Sequence, residues 1–150
     1  MGVKHWHVGA AVTAIVLVAS FQLATVVVEI FGRLDDIQRV KTAIVWGLWL
    51  LIPSAMVAGI TGRLLSGAAT SPALQAKVGR MKWIALNGLL VLLPCAMYLQ
   101  DKAASGALDG LYWSVQALEL VMGLVNLSLL LANGRQGRRL AQTAWKQNGA

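Results

Sequence analysis

LYWSVQALELVMGLVNLSLLLA, residues 111–132, decides how this chain is built. A hydrocarbon layer roughly 30 Å thick is crossed by about 20 apolar residues at 1.5 Å per helical residue. This run is long enough, and Glu119 is its one carboxylate or cationic side chain. Its polar members are not scattered. Gln116, Glu119, Asn126 and, just beyond, Asn133 recur at offsets of three, seven and seven with Gly123 between them, which places all of them on one face of a helix. Lipid offers no hydrogen bonds, so that face is expected to look into a bundle.

Three further runs have the same character: Val8 to Phe31, Ala43 to Gly62, and Trp83 to Leu99, the last at the short end of the spanning range. The first is too long for the apolar core of a signal peptide, and no small-residue cleavage pattern follows it. Composition agrees with four spans. Of the 150 residues 57% are hydrophobic and 13% charged, and the mean hydropathy is +0.65. A soluble domain is nearer 45–50% apolar and about 25% charged, so these proportions exclude an ordinary soluble enzyme and a disordered tail. The lone Cys95 excludes a disulfide scaffold and reads as inert packing. The fold expected is an all-α membrane protein, one antiparallel bundle of four transmembrane helices (8–31, 43–62, 83–99, 111–132) with a basic tail at 134–150.

Basic residues in short loops orient such a bundle. Nine of the thirteen Lys and Arg residues fall with the termini and the 63–82 connection: Lys4, Arg63, Lys77, Arg80, Lys82, Arg135, Arg138, Arg139 and Lys146. Arg33, Arg39, Lys41 and Lys102 fall on the other side, together with Asp35, Asp36, Asp101 and Asp109. Both termini are therefore expected in the cytoplasm, with the chain in a bacterial inner membrane. The net charge of +7 is read as topology and as attraction to anionic headgroups, with no nucleic-acid partner. Trp6 and Trp83 on one side, and Trp46, Trp49, Tyr98, Tyr112 and Trp113 on the other, fit the aromatic belts of a bilayer.

Polar groups at membrane depth carry most of the remaining information. Gln22, Thr25 and Glu29 lie on one stripe of the first helix, and Asn87 lies in the third. Gln22 and Glu119 both come out roughly 12–14 Å below the outer surface, which predicts a contact between them. Asn87 and Asn126 are expected to form a second polar layer within reach of Thr13. Glu29 has Arg33 four residues on, so a local helix-surface ion pair is expected there. Glu119 has no cation nearby in sequence, which reads as a hydrogen-bonded structural group or as a proton or cation site.

Gly47-Leu48…Leu51-Ile52-Pro53-Ser54-Ala55-Met56 matches Gly88-Leu89…Leu92-Leu93-Pro94-Cys95-Ala96-Met97 across two antiparallel helices. Such a match is either chance in a Leu- and Ala-rich alphabet or a trace of inverted symmetry. Pro53 and Pro94 are expected to kink their helices, with Ser54 or a neighbouring polar group taking up the freed carbonyls. The 63–82 segment, with Ser66-Gly67-Ala68-Ala69-Thr70-Ser71-Pro72, reads as a loop, and Gln100–Gly110 as a short turn.

His5 and His7 are the only histidines. Two residues apart on a helix they point about 200° away from each other, and two ligands without a third make a poor metal site. No cofactor is expected. Haem b held by His7 is an alternative that needs a second axial ligand from elsewhere, since Met56, Met97 and Met122 read as gap-fillers. No nucleophile-elbow, zincin, CxxC, phosphate-loop or dinucleotide-binding pattern occurs. An enzyme is not expected.

The runs Lys4-His5-Trp6-His7-Val8-Gly9-Ala10, Asn87-Gly88-Leu89-Leu90…Pro94 and Gln116-Ala117-Leu118-Glu119-Leu120…Gly123…Asn126-Leu127 resemble an uncharacterised family of small bacterial four-helix inner-membrane proteins. That resemblance implies the fold and brings no catalytic motif. Glu29-Ile30-Phe31-Gly32 also resembles the helix-one motif of small multidrug resistance transporters, although Glu29 stands at the end of its helix and theirs at the middle. The function expected is a non-catalytic membrane protein that self-associates or serves as an accessory subunit of a membrane complex. The alternatives are a b-type haem electron-transfer protein using His7, with or without His5, or a small proton-coupled carrier built around Glu119. Gln22, Glu29, Gln116, Glu119, Asn87 and Asn126 are the candidate buried site, and His5 and His7 the candidate ligands.

Overall fold

The structure, a computed structural model, describes residues 2–66 and 72–148, with the side chains at 66, 72–74, 140, 141 and 143–148 excepted. It is 94% helical, with no strand among the described residues. The elements in order are α1 (Val3–Phe31), α2 (Leu34–Ser66), α3 (Pro72–Asn87), a π-helical segment (Gly88–Leu92), α4 (Leu93–Ala104) and α5 (Gly110–Asn148). α3, the π segment and α4 form one spanning rod, so four helices are long and apolar enough to cross a membrane. α1 packs along α2, and α5 packs against α1, α3 and α4. The outer faces are apolar and bare: Phe31 is 82% exposed, Trp49 76% and Leu90 70%. A bundle with so little of each span buried has its apolar surface turned towards lipid.

The helices are longer than the apolar runs that announce them. The third span is Gln75–Ala104, where hydropathy marks only 83–99. Helix formation depends on backbone hydrogen bonds, and Lys77, Arg80 and Lys82 extend their charged ends from apolar stems without breaking it. Most of the expected 63–82 loop is therefore helix, and residues 67–71 of it lie outside the described residues. For the same reason α2 begins at Leu34, nine residues before the apolar run, and α5 continues through the basic tail to Asn148.

The turns have legible causes. The amide of Gly32 donates to Val28 O at 2.9 Å and closes α1. The carboxylate of Asp36 accepts the Arg33 amide at 3.0 Å, half of a capping box, and Asp35 and Asp36 sit at the positive end of the α2 dipole. At the other turn, Gly106 adopts φ +70°. The Gly106 and Ala107 amides donate back to Ala103 O at 3.2 Å and Lys102 O at 3.0 Å, the paired bonds of a Schellman motif. Asp109 then caps α5, its Oδ1 accepting the Tyr112 amide at 2.8 Å.

The two prolines behave differently. Pro53 lies inside an uninterrupted α2, and Ser54 Oγ donates to Leu50 O at 2.7 Å, one carbonyl past the one Pro53 leaves without its amide. Pro94 follows the π segment, in which the Leu93 amide reaches back to Gly88 O. The wider turn absorbs the missing Pro94 amide and the crowding of its ring against the preceding turn. The sequence match between the two helices thus does not extend to their backbones.

Candidate buried polar site

Lys41 is the centre of the site. It lies about two turns into α2, between Ile37 and Ile44 on the buried stripe of that helix, and it is 1% exposed. Its position in a charged stretch next to a turn places it among the outer loop cations when hydropathy alone is read. The helix carries it inward instead. The signal that marks it is the i, i+4, i+7 spacing of Ile37, Lys41 and Ile44, visible once α2 is started at Leu34.

Around its ammonium the bundle gathers polar groups from two other helices. Lys41 Nζ donates to Glu119 Oε2 at 3.2 Å and to Gln116 Oε1, both on α5, and stands 3.7 Å from Glu29 Oε1 on α1. Gln116 Nε2 in turn lies 3.3 Å from Glu119 Oε2. The fully buried Tyr112 donates its hydroxyl to Glu29 Oε1 at 2.6 Å. Ile37, Leu99 and Ala103 pack with Tyr112 between this cluster and the two turns at that end of the bundle.

Two expected pairings give way to this arrangement. Glu29 pairs with Lys41 and Tyr112 rather than with Arg33, because its stripe turns into the bundle while Arg33 caps α2 at the surface. Glu119 does have a cation, supplied by α2, and it takes Lys41 instead of Gln22. A charged donor is the stronger partner for a carboxylate. Gln22 sits one turn away, where its Nε2 donates to Leu120 O at 2.9 Å. Gly123 permits that approach, since a Cβ there would stand 2.4 Å from the Gln22 amide nitrogen.

Further along the interior, Asn87 Nδ2 donates to Met122 O at 2.9 Å, and Gly88 faces the Asn126 amide. Asn87 and Asn126 are buried on facing helices, and the Oδ1 of each is without a partner. Near the terminal end Arg80 donates to Asn133 Oδ1 at 2.7 Å and to Gln136 Oε1. The polar groups thus run as a column along the inner faces of α1, α3 and α5.

His7 belongs to that end. Its Nδ1 lies 3.1 Å from both Ala58 O and Thr61 Oγ1. The Thr61 hydroxyl already donates to Val57 O at 2.5 Å and a backbone carbonyl can only accept, so Nδ1 is the donor in both contacts. The ring presses on Gly62, where a Cβ would stand 3.0 Å from Cε1. His7 therefore ties α1 to α2. His5 is exposed on the same helix, turned away from His7 by the 200° that two helical residues impose. Among the described residues no three His, Cys, Asp or Glu side chains are grouped to hold a metal ion. Cys95 is buried and free.

What this arrangement can do chemically is limited and specific. It can hold three helices in one register through charge-assisted hydrogen bonds, and it can bind or release a proton on a carboxyl. No protein-family model, curated protein or solved structure matches the chain.

Proposed function

We propose that this chain is a non-catalytic integral protein of a bacterial inner membrane, with both termini in the cytoplasm, which self-associates or serves as an accessory subunit. The observation that carries this reading is the use made of Lys41. From α2 its ammonium engages Glu29 of α1 and Gln116 and Glu119 of α5. The costliest groups to place at membrane depth are thus spent on joining helices to one another. The outer faces, by contrast, carry bare apolar side chains from every span, the surface through which membrane helices meet lipid or a further subunit. Nine of thirteen basic residues on the side of the termini support the orientation.

Chain stoichiometry in a bilayer tests the proposal. Singly labelled full-length protein, reconstituted at low density and photobleached, should show two or more steps per spot. Single steps throughout would remove self-association and leave the accessory role. An oxidised-minus-reduced absorption spectrum with a Soret band would overturn the reading in favour of a haem protein, and make His7 the first residue to replace. Substrate-dependent proton flux in liposomes would overturn it in favour of a carrier.

A further inference from the structure

The charges in the buried cluster do not balance. Glu29, Glu119 and Lys41 have side chains 7%, 11% and 1% exposed, so two carboxyls share one ammonium in an interior surrounded by lipid. Fully ionised, the cluster holds a net charge of minus one with little water to stabilise it. Two carboxyls brought to one site share a proton for the same reason.

Their hydrogen bonds are unequal. Glu119 Oε2 receives the Lys41 ammonium at 3.2 Å and faces the Gln116 amide at 3.3 Å. Glu29 has the Tyr112 hydroxyl on Oε1, with Lys41 farther off at 3.7 Å. Its Oε2 is buried and has no partner at all. From the remaining packed elements, Cys95 of α4 lies within electrostatic reach of Glu119, and Tyr98 of α4 packs on the apolar layer beside Tyr112.

We propose that Lys41, Glu29 and Glu119 form a binding site for one exchangeable proton, carried on Glu29 Oε2. A proton delivered as hydronium forms an O–H bond at that oxygen while one O–H bond of the hydronium breaks and leaves water, and the cluster passes from minus one to neutral. Glu119 keeps its charge because Lys41 and Gln116 are arranged around it. This goes beyond the helix-joining role, which the same side chains would perform without exchanging anything.

Infrared spectroscopy of the full chain in lipid nanodiscs at pH 7, in H₂O and D₂O, reads the site directly. One protonated carboxyl stretch is expected, shifted in D₂O. Glu29→Gln and Glu119→Gln should each abolish it, because each leaves one carboxylate on one ammonium. Lys41→Met should double it. Glu29→Asp should move the band, and Glu119→Asp should leave it in place. Absence of the band in the parent chain, its survival in both Gln variants, or its failure to shift in D₂O would overturn the proposal. So would a band moved by Glu119→Asp alone. The Gln variants are close to isosteric, so they decide the matter even if Lys41→Met does not fold. None of these results depends on how many chains associate.

Discussion

Replacing Lys41 by Met keeps the apolar stem of the side chain and removes the ammonium, its charge and its donors to Gln116 and Glu119 together, which makes it the sharpest probe of the bundle. The structure sets the size of the effect. Lys41 Nζ is the nearest cation to Glu119 at 3.2 Å and to Glu29 at 3.7 Å, and all three groups are buried. Deleting one partner of a buried ion pair costs about 3–5 kcal/mol, because the other partner is left uncompensated. An ordinary hydrogen bond between membrane helices averages only about 0.6 kcal/mol, with a maximum near 1.7. A loss of about 3 kcal/mol for Lys41→Met would therefore exceed the roughly 1 kcal/mol expected from its two hydrogen bonds at that average, and report the buried charge. Reversible unfolding with SDS in mixed micelles, followed through the fluorescence of the six Trp residues, measures it. The exposed Lys82→Met is the control, expected within about 0.5 kcal/mol of the parent. Combining Lys41→Met with Glu29→Gln and Glu119→Gln should bring stability back to within about 1 kcal/mol, since a neutral replacement of a buried ionic cluster is commonly tolerated. If Lys41→Met behaves like Lys82→Met, the buried cluster does not join the helices and the reasoning fails.

Three further perturbations test the packing and the turns. Gly47→Ala would set a Cβ 2.4 Å from Phe21 Cζ, and overpacking of about 1–3 kcal/mol should outweigh the helix-propensity gain of up to about 1 kcal/mol. Gly9→Ala has nothing within 4 Å, so the same micelle titration should find it neutral or stabilising. Gly106→Ala forces a Cβ into the left-handed region at φ +70° and should cost about 1 kcal/mol, read as a lower unfolding midpoint. Asp109 is held below the usual carboxylate range by the Tyr112 amide and then by Lys102. A depressed carboxyl stabilises above its ordinary titration range and loses that contribution as pH falls through its lowered value. The protection of the Tyr112 amide, its exchange rate relative to that of an open chain at the same pH, should therefore fall in acid, and Asp109→Ala should show that low protection already at neutral pH.

Much of this was legible in residue order alone. Length and hydropathy are enough for four spanning helices, because a bilayer imposes a fixed apolar length and forces backbone groups to pair within the segment. The 3.6-residue period is enough to place Gln116, Glu119, Asn126 and Asn133 on one line, and all four are buried along α5. Helix ends were harder to read, since Lys77 and Arg138 are compatible with helix while hydropathy treats them as its limit.

Partnership is what residue order could not supply. Glu29 has Arg33 one turn away and Glu119 has no neighbouring cation, so a reading along the chain gives the first a mate and the second none. In three dimensions both turn to Lys41, which approaches from a third helix after the chain has reversed at Gly32 and Arg33. Gln22 goes to a backbone carbonyl because Gly123, about a hundred residues away in sequence, leaves room for it. Periodicity reports which face a residue occupies on its own helix. Which side chain meets it there depends on the rotation and depth of the neighbouring helix, and those are settled only when the bundle packs.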